Sequence, residues 1–202
     1  MIDWVSPKTF KTPSIFKHLY LTTEELINKC IKNDRKAQGE LFRRYKNVLY
    51  LISLKYCRNQ EEAEDNLHDS FMVIFQKIGT FKNRGSFEGW MKRITIYKAI
   101  DLYKAKKTVS AEIKDDLLEE VTIDESLCDL PLDIILELIQ ELPDQYRLVF
   151  NLYQLDGYSH KEIANMLEIS ESTSKSNYHR AKQLLRKKIL EKKPHLNYKT
   201  KK

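Results

Sequence analysis

The stretch SHKEIANMLEISESTSKSNYHR, Ser159–Arg180, decides how this chain folds, and the rest is read outward from it. Ser159 and Glu162 stand at the spacing of a capping box, in which each side chain satisfies a backbone N–H at the start of a helix. Ile163, Ala164 and Leu167 follow at helical spacing and form one apolar face. Ser170 opens a second helix after a short turn, and that helix carries Lys175, His179 and Arg180 beside Ser172, Thr173, Ser176 and Gln183. The pattern is that of a helix-turn-helix, which lays its second helix in the major groove of duplex DNA. Cations suit phosphate, and short polar side chains suit base edges. The apolar spacing alone would fit any three-helix domain. The polar second helix in a basic segment is what points to DNA.

Charge is segregated along the chain. From Lys175 to Lys202 there are 11 Lys or Arg against one acid, Glu191, whereas Thr108–Asp133 holds nine acids against one Lys, Lys114. The basic end favours polyanions, although its last ten residues fit a solvated, frayed tail equally well. At 202 residues, 42% hydrophobic and 32% charged, the chain predicts one or two small soluble domains. Apolar periodicity is helical almost throughout. Cys30, Cys57 and Cys128 are far apart, which argues against a disulfide framework and against zinc, and for a reducing compartment. No signal peptide and no membrane-length apolar run is visible, so the expected location is cytoplasmic, without membrane insertion and without a cofactor.

An all-α fold of two small helical bundles follows. Residues 1–21 are expected to form an irregular extension, because Trp4, Pro7, Phe10, Pro13, Phe16 and Tyr20 recur without period. The first bundle covers 22–107. One helix is capped by Thr22 or Thr23, and a second after Asp34 turns Ala37, Leu41, Tyr45, Val48, Leu49 and Ile52 inward. A third runs from Gln60 to about Ile78, and a fourth from about Glu88 to Lys106. Gly79 and Gly85 break the intervening loop, Lys77–Phe87. A flexible acidic linker spans 108–130. The second bundle, 131–190, holds helices at Leu132–Leu142 and after Pro143-Asp144 and then the helix-turn-helix, with a basic tail at 191–202.

Two faces of the first bundle carry chemistry. On the third helix Leu67, Phe71, Ile74, Phe75 and Ile78 share one side, and Glu61, Asp65, His68, Asp69 and Met72 the other. A solvated face explains the acids but not Met72; an acidic surface with an apolar contact fits a basic, partly apolar protein partner. The fourth helix turns Trp90, Ile94 and Tyr97 inward and carries Lys92, Arg93, Lys98, Lys104, Lys106 and Lys107. With the loop residues Lys82, Asn83, Arg84 and Ser86 it suits single-stranded nucleic acid, which needs cations for phosphates and partners for unstacked bases. Phe87 and Trp90 fit plain core, so the polar loop residues are the better base contacts.

In this order, these features resemble a bacterial sigma factor of the sigma-70 family, in its compact extracytoplasmic-function group. The resemblance covers roughly residues 22–190. EELINKCIKNDRKAQGELFRRY (Glu24–Tyr45), AEDNLHDSF (Ala63–Phe71) and GSFEGWMKRITIYKAIDLYK (Gly85–Lys104) are similar to region two, and Glu141–Ile189 to region four. The resemblance implies that Glu61, Asp65, His68, Asp69 and Met72 dock on core RNA polymerase. It implies that Lys82, Asn83, Arg84 and Ser86 capture a base flipped from the minus-ten element, with Arg93 and Lys98 on phosphates. Ser172, Thr173, Lys175, Ser176, His179 and Arg180 would read the minus-thirty-five element of promoter DNA. The acidic linker would thread near the polymerase's RNA exit path. An anti-sigma protein is a further implied partner, and no catalytic group is implied.

The chain departs from the family at named positions. His68 stands where Gln is usual, which keeps hydrogen bonding and adds a titratable group. Tyr97 replaces Asn. Glu168 replaces Gly at the helix-turn-helix turn, at a cost of about 1 kcal/mol if held left-handed. Ser174 replaces an inward Val, which predicts a second domain weakened by about 1–2 kcal/mol and melting separately below the first. Three rival readings remain: a stand-alone helix-turn-helix regulator that does not bind polymerase, a nucleic-acid enzyme using Asp65 and Asp69, and a pure interaction module. The first leaves the α-helical acidic face and the Lys82–Ser86 loop without a purpose.

Overall fold

The computed structural model describes residues 21–107 and 131–196; residues 1–20 of the extension, the acidic linker and residues 197–202 lie outside them. Polar side chains start most of the helices. Thr22 and Glu25 form a capping box at the head of α1 (Thr23–Ile31). Asp34 accepts the Lys36 and Ala37 amides to start α2 (Arg35–Tyr56), and Asn59 caps α3 (Gln60–Lys77). A 3-10 turn at Ile78–Thr80 leads to the loop, and Ser86 accepts the Gly89 amide to start α4 (Phe87–Lys107). In the second unit α5 (Leu132–Gln140) and α6 (Asp144–Phe150) each follow a proline, which cannot donate a backbone hydrogen bond and so suits a helix entry. A π-helical turn, Asn151–Leu155, extends α6. Then come α7 (His160–Leu167), opened by the expected Ser159/Glu162 capping box, and α8 (Glu171–Leu196). Every described element is helical. The expected break at 190/191 is absent, because α8 continues six residues into the segment read as a tail.

Three apolar clusters hold these helices. One lies among α1–α4, built on Leu26, Leu41, Leu49, Ile74 and Met91. Another lies within the second unit, on Leu138, Phe150, Ala181 and Leu185. The third crosses between the units: Tyr56, Cys57, Ile96 and Ile100 pack with Leu148, Val149, Leu152, Ile163 and Leu167. This shared core corrects two expectations. The buried stripe of α4 is Phe87, Met91, Ile96, Ala99 and Ile100; Trp90 and Ile94 pack half-buried against the first cluster as expected, but Tyr97 is exposed. The second unit also shares part of its core with the first, a packing that does not predict its melting alone.

The seam has a polar layer with a clear cause. The last carbonyls of a helix have no partner within it. Those at the end of α2 receive donors from the second unit: Gln140 Nε2 to Leu54 at 3.1 Å, Asn151 Nδ2 to Lys55 at 2.6 Å and Arg147 Nε to Tyr56 at 3.2 Å. Arg147, 3% exposed, also donates to the carbonyls of Gln140 and Leu142 and to Asp144 Oδ1. Asp144 accepts from Arg58 Nε at 2.7 and 2.8 Å. Asp156 accepts from Lys55 Nζ at 2.9 Å and from the Tyr56 hydroxyl, and Lys104 pairs with Glu168. Burial pushes the Asp144 carboxyl up, but the Arg58 hydrogen bond and the Arg147 charge outweigh it and hold it below its ordinary value.

Candidate functional site

The outer face of α3 lies as the periodicity requires. Its inner side buries Ala63, Asn66, Ser70, Phe71 and Ile74, which leaves Glu61, Asp65, His68 and Asp69 exposed with Met72. Met72 is 51% exposed, so a thioether stands in water within an acidic surface. Phe42, on α2, is a further exposed aromatic, with its ring 4.7 Å from that of Phe71 on the inner side of α3. Sequence reading missed it, since Phe42 precedes the charged pair Arg43 and Arg44 and falls outside the inward set of α2.

What holds this face rigid is also polar. Asn66 Nδ2 donates to Ser53 Oγ at 3.0 Å and to the Thr95 carbonyl at 3.3 Å, tying α3 to α2 and α4. Ser70 and Thr95 turn their hydroxyls onto carbonyls one turn back, Asn66 and Met91. Every side chain in this buried layer has a partner, the condition under which buried polar groups specify a geometry.

The loop between α3 and α4 presents Lys82, Asn83, Arg84 and Ser86, all exposed. Its path depends on two left-handed residues, Asn83 at φ 54° and Gly85 at φ 88°. Phe81, Phe87 and Trp90 pack beneath it with ring centroids 5.1–5.6 Å apart, so these aromatics support the loop. Ser86 has a second task. Its hydroxyl caps α4, and a Cβ at Gly89 would come within 2.9 Å of it. On α4 the guanidinium of Arg93 sits 5.7 Å from the Tyr97 ring. Lys98 Nζ lies 3.2 Å from Asp69 Oδ2, which joins a residue expected on DNA to one expected on protein.

In the helix-turn-helix, Glu168 occupies the turn at φ 56°, ψ 49°, the left-handed conformation its position demands. Ser170 Oγ accepts the Thr173 amide at 2.9 Å and bonds the hydroxyls of Ser172 and Thr173, so the start of α8 is a serine and threonine cluster. Ser172 and Lys175 are exposed; Thr173, Ser176, His179 and Arg180 are half-buried. Lys175 pairs with Glu171 at 2.8 Å, and Arg180 Nη1 donates to the Tyr146 hydroxyl at 3.3 Å. Ser174, 0% exposed, is held by His160 Nδ1 at 2.9 Å. The expected cost of a buried hydroxyl at that position is therefore offset by a partner on α7.

Among the described residues no group of three or more His, Cys, Asp or Glu is placed to hold a metal ion, and no helix is long and apolar enough to cross a membrane.

Two family models match. Residues 41–109 match Sigma-70 region 2, and residues 132–185 match Sigma-70, region 4. Among curated relatives, the ECF RNA polymerase sigma factor SigW of Bacillus subtilis (strain 168) is 29% identical over 183 residues, covering 82% of this chain and 98% of that protein. The ECF RNA polymerase sigma-E factor of Haemophilus influenzae (strain ATCC 51907) is 23% identical over 182 residues, covering 84% and 96%. Among solved structures, the sigma factor RpoE in complex with the anti-sigma factor NepR from Bartonella quintana superposes with a TM-score of 0.47 at 18% identity, covering 76% of this chain and 96% of that one.

Proposed function

The chain belongs to the sigma-70 family of RNA polymerase sigma factors, in its ECF group, and from that premise we propose how its surfaces divide promoter recognition between them. The protein binds core RNA polymerase and directs promoter recognition; polymerization itself is the polymerase's chemistry. The first unit, 22–107, docks through Glu61, Asp65, His68, Asp69 and Met72, with Phe42 as an added apolar contact. Its loop residues Lys82, Asn83, Arg84 and Ser86 take a base unstacked from the minus-ten element, while Arg93 and Lys98 neutralise phosphates. Capturing a flipped base offsets part of an unpairing cost of a few kcal/mol.

The second unit, 131–190, places α8 in the major groove at the minus-thirty-five element. There Ser172, Thr173, Ser176 and His179 face base edges, and Lys175 and Arg180 face the backbone. Arg180 is partly committed to Tyr146, so its phosphate contact comes with a lost internal bond. The observation that carries the reading is the half-exposed Met72 set among the carboxylates of α3. A stand-alone regulator has no use for that surface. Transcription of fragmented genomic DNA by core polymerase, with and without the chain, tests the function. Discrete new start sites preceded by two shared elements are expected, and an unchanged transcript pattern would count against it.

A further inference from the structure

His160 and Ser174 form a side-chain hydrogen bond between the two helices of the helix-turn-helix. His160 is the first residue of α7. Its ring is fixed on one side by Tyr153 of the π-helical turn, with centroids 4.1 Å apart and planes 11° from parallel. On the other side Nδ1 lies 2.9 Å from Ser174 Oγ. One turn further along α8, Tyr178 closes the group: its ring is 4.6 Å from Tyr153 and 5.9 Å from His160, and its hydroxyl donates to Gln154. The charged groups near His160 are Glu171 and Lys175 of α8. Burial first, and then the Lys175 charge, hold the imidazole below its ordinary value.

At about 100° per residue, Ser172, Ser176 and His179 project from the side of α8 opposite Ser174. The bond thus anchors the back of the face proposed to read bases. Tyr178 is the α8 residue that packs on the apolar cluster holding Ile163 and Leu167, and such a contact tolerates sliding. A hydrogen bond with a defined length and direction does not. A side-chain tip sits about 6 Å from the helix axis, so a roll of about 15° moves it by about 1.5 Å, enough to break a base contact.

We infer that His160 is a positioning residue for promoter reading: through Ser174 it sets the roll of α8, and with it the direction in which Ser172, Ser176 and His179 meet the base edges. The inference rests on α8 being the recognition helix. It also accounts for a serine at a position where the family usually places valine, since the hydroxyl replaces apolar packing with a directional bond.

Selection from a randomised duplex library tests it, using core polymerase loaded with wild-type chain, His160→Ala, Ser174→Ala, the double variant or His160→Asn. Affinity for one random-sequence duplex and the unfolding midpoint are measured beside it. The wild type enriches an upstream element. His160→Ala and Ser174→Ala each lower preference for that element by about tenfold, while affinity for the random duplex stays within about twofold. The double variant is no worse than either single change. His160→Asn, which keeps a hydrogen-bonding group near the Nδ1 position, recovers most of the preference. An upstream element as sharp in His160→Ala as in the wild type overturns the inference. So does a loss of random-duplex affinity that tracks the unfolding midpoint and is not relieved by His160→Asn, because that marks a scaffold residue. If the wild type itself enriches no upstream element, the assignment of α8 has failed, and this is visible without any variant.

Discussion

Carboxylates in two regions of this protein have opposite surroundings. In the seam, Asp144 and Asp156 are enclosed by Arg58, Arg147, Lys55 and the Tyr56 hydroxyl, drawn largely from the other unit. On the outer face of α3, Glu61, Asp65 and Asp69 are exposed beside an exposed Met72. The seam carboxylates satisfy buried donors, so the fold depends on them. Those on α3 stand in water, where a charge contributes little to stability, and their use must lie outside the chain. The same side-chain chemistry serves folding in one place and recognition in the other, and burial decides which.

The largest expected effect is at the centre of the seam. Arg147→Ala leaves the carbonyls of Tyr56, Gln140 and Leu142, and Asp144, without their buried donor, and should cost about 3–5 kcal/mol in a denaturant titration followed by circular dichroism. Because the units share a core, wild type should unfold in one transition. Two separated transitions would show that the seam does not couple them.

A smaller effect is expected at Asp156→Ala, which strands the buried Tyr56 hydroxyl and frees Lys55, at about 1–3 kcal/mol. Cys57 reports the same event. It is buried in the shared core, and burial, followed by the Glu62 charge, pushes its thiol up to about 12. Its alkylation at pH 8 should be slow in the wild type and faster in Asp156→Ala, while Cys30, buried within the first unit, reacts as before.

The pH dependence sharpens the contrast. The Asp144 carboxyl is held below its ordinary value of 3.8 in the folded chain. Its contribution is therefore present above the unfolded value and lost as pH falls through the folded one. Asp144→Asn should be less stable than the wild type at pH 7, with the gap closing towards pH 3. A gap independent of pH would show that the Asp144 charge is not what matters. Smallest of all, Asp65→Lys and Asp69→Lys should shift stability by no more than about 0.5–1 kcal/mol, even though Asp69 approaches Lys98.

The α3 face was legible in the sequence because one helix carries both of its halves: apolar residues at helical spacing identify the inside, and Met72 marks the outside as unusual. The helix-turn-helix was legible through Ser159 and Glu162, whose capping box forms as read. The seam was not. Nothing local pairs Asp156 with Lys55, 101 residues away. Part of the inner stripe of α4 was missed for the same reason, since Ile96 and Ile100 face a second unit that a single helical wheel cannot include. One signal was available. Arg147 interrupts the run Tyr146–Phe150, all of it buried, and a lone charge inside such a run marks a buried, fully partnered group. Ser174 looked like a defect because its partner, His160, lies on the neighbouring helix at a spacing no periodicity reveals.

In the proposed division of surfaces, the exposed face of α3 is the one that meets polymerase. Capture of core RNA polymerase on immobilised chain, comparing wild type with the Asp65→Lys/Asp69→Lys double variant after both are shown to unfold at matching midpoints, tests it most directly. Retention of polymerase by the wild type and its loss in the variant is the predicted result. Equal retention by both folded proteins would contradict it and move the interface elsewhere on the chain.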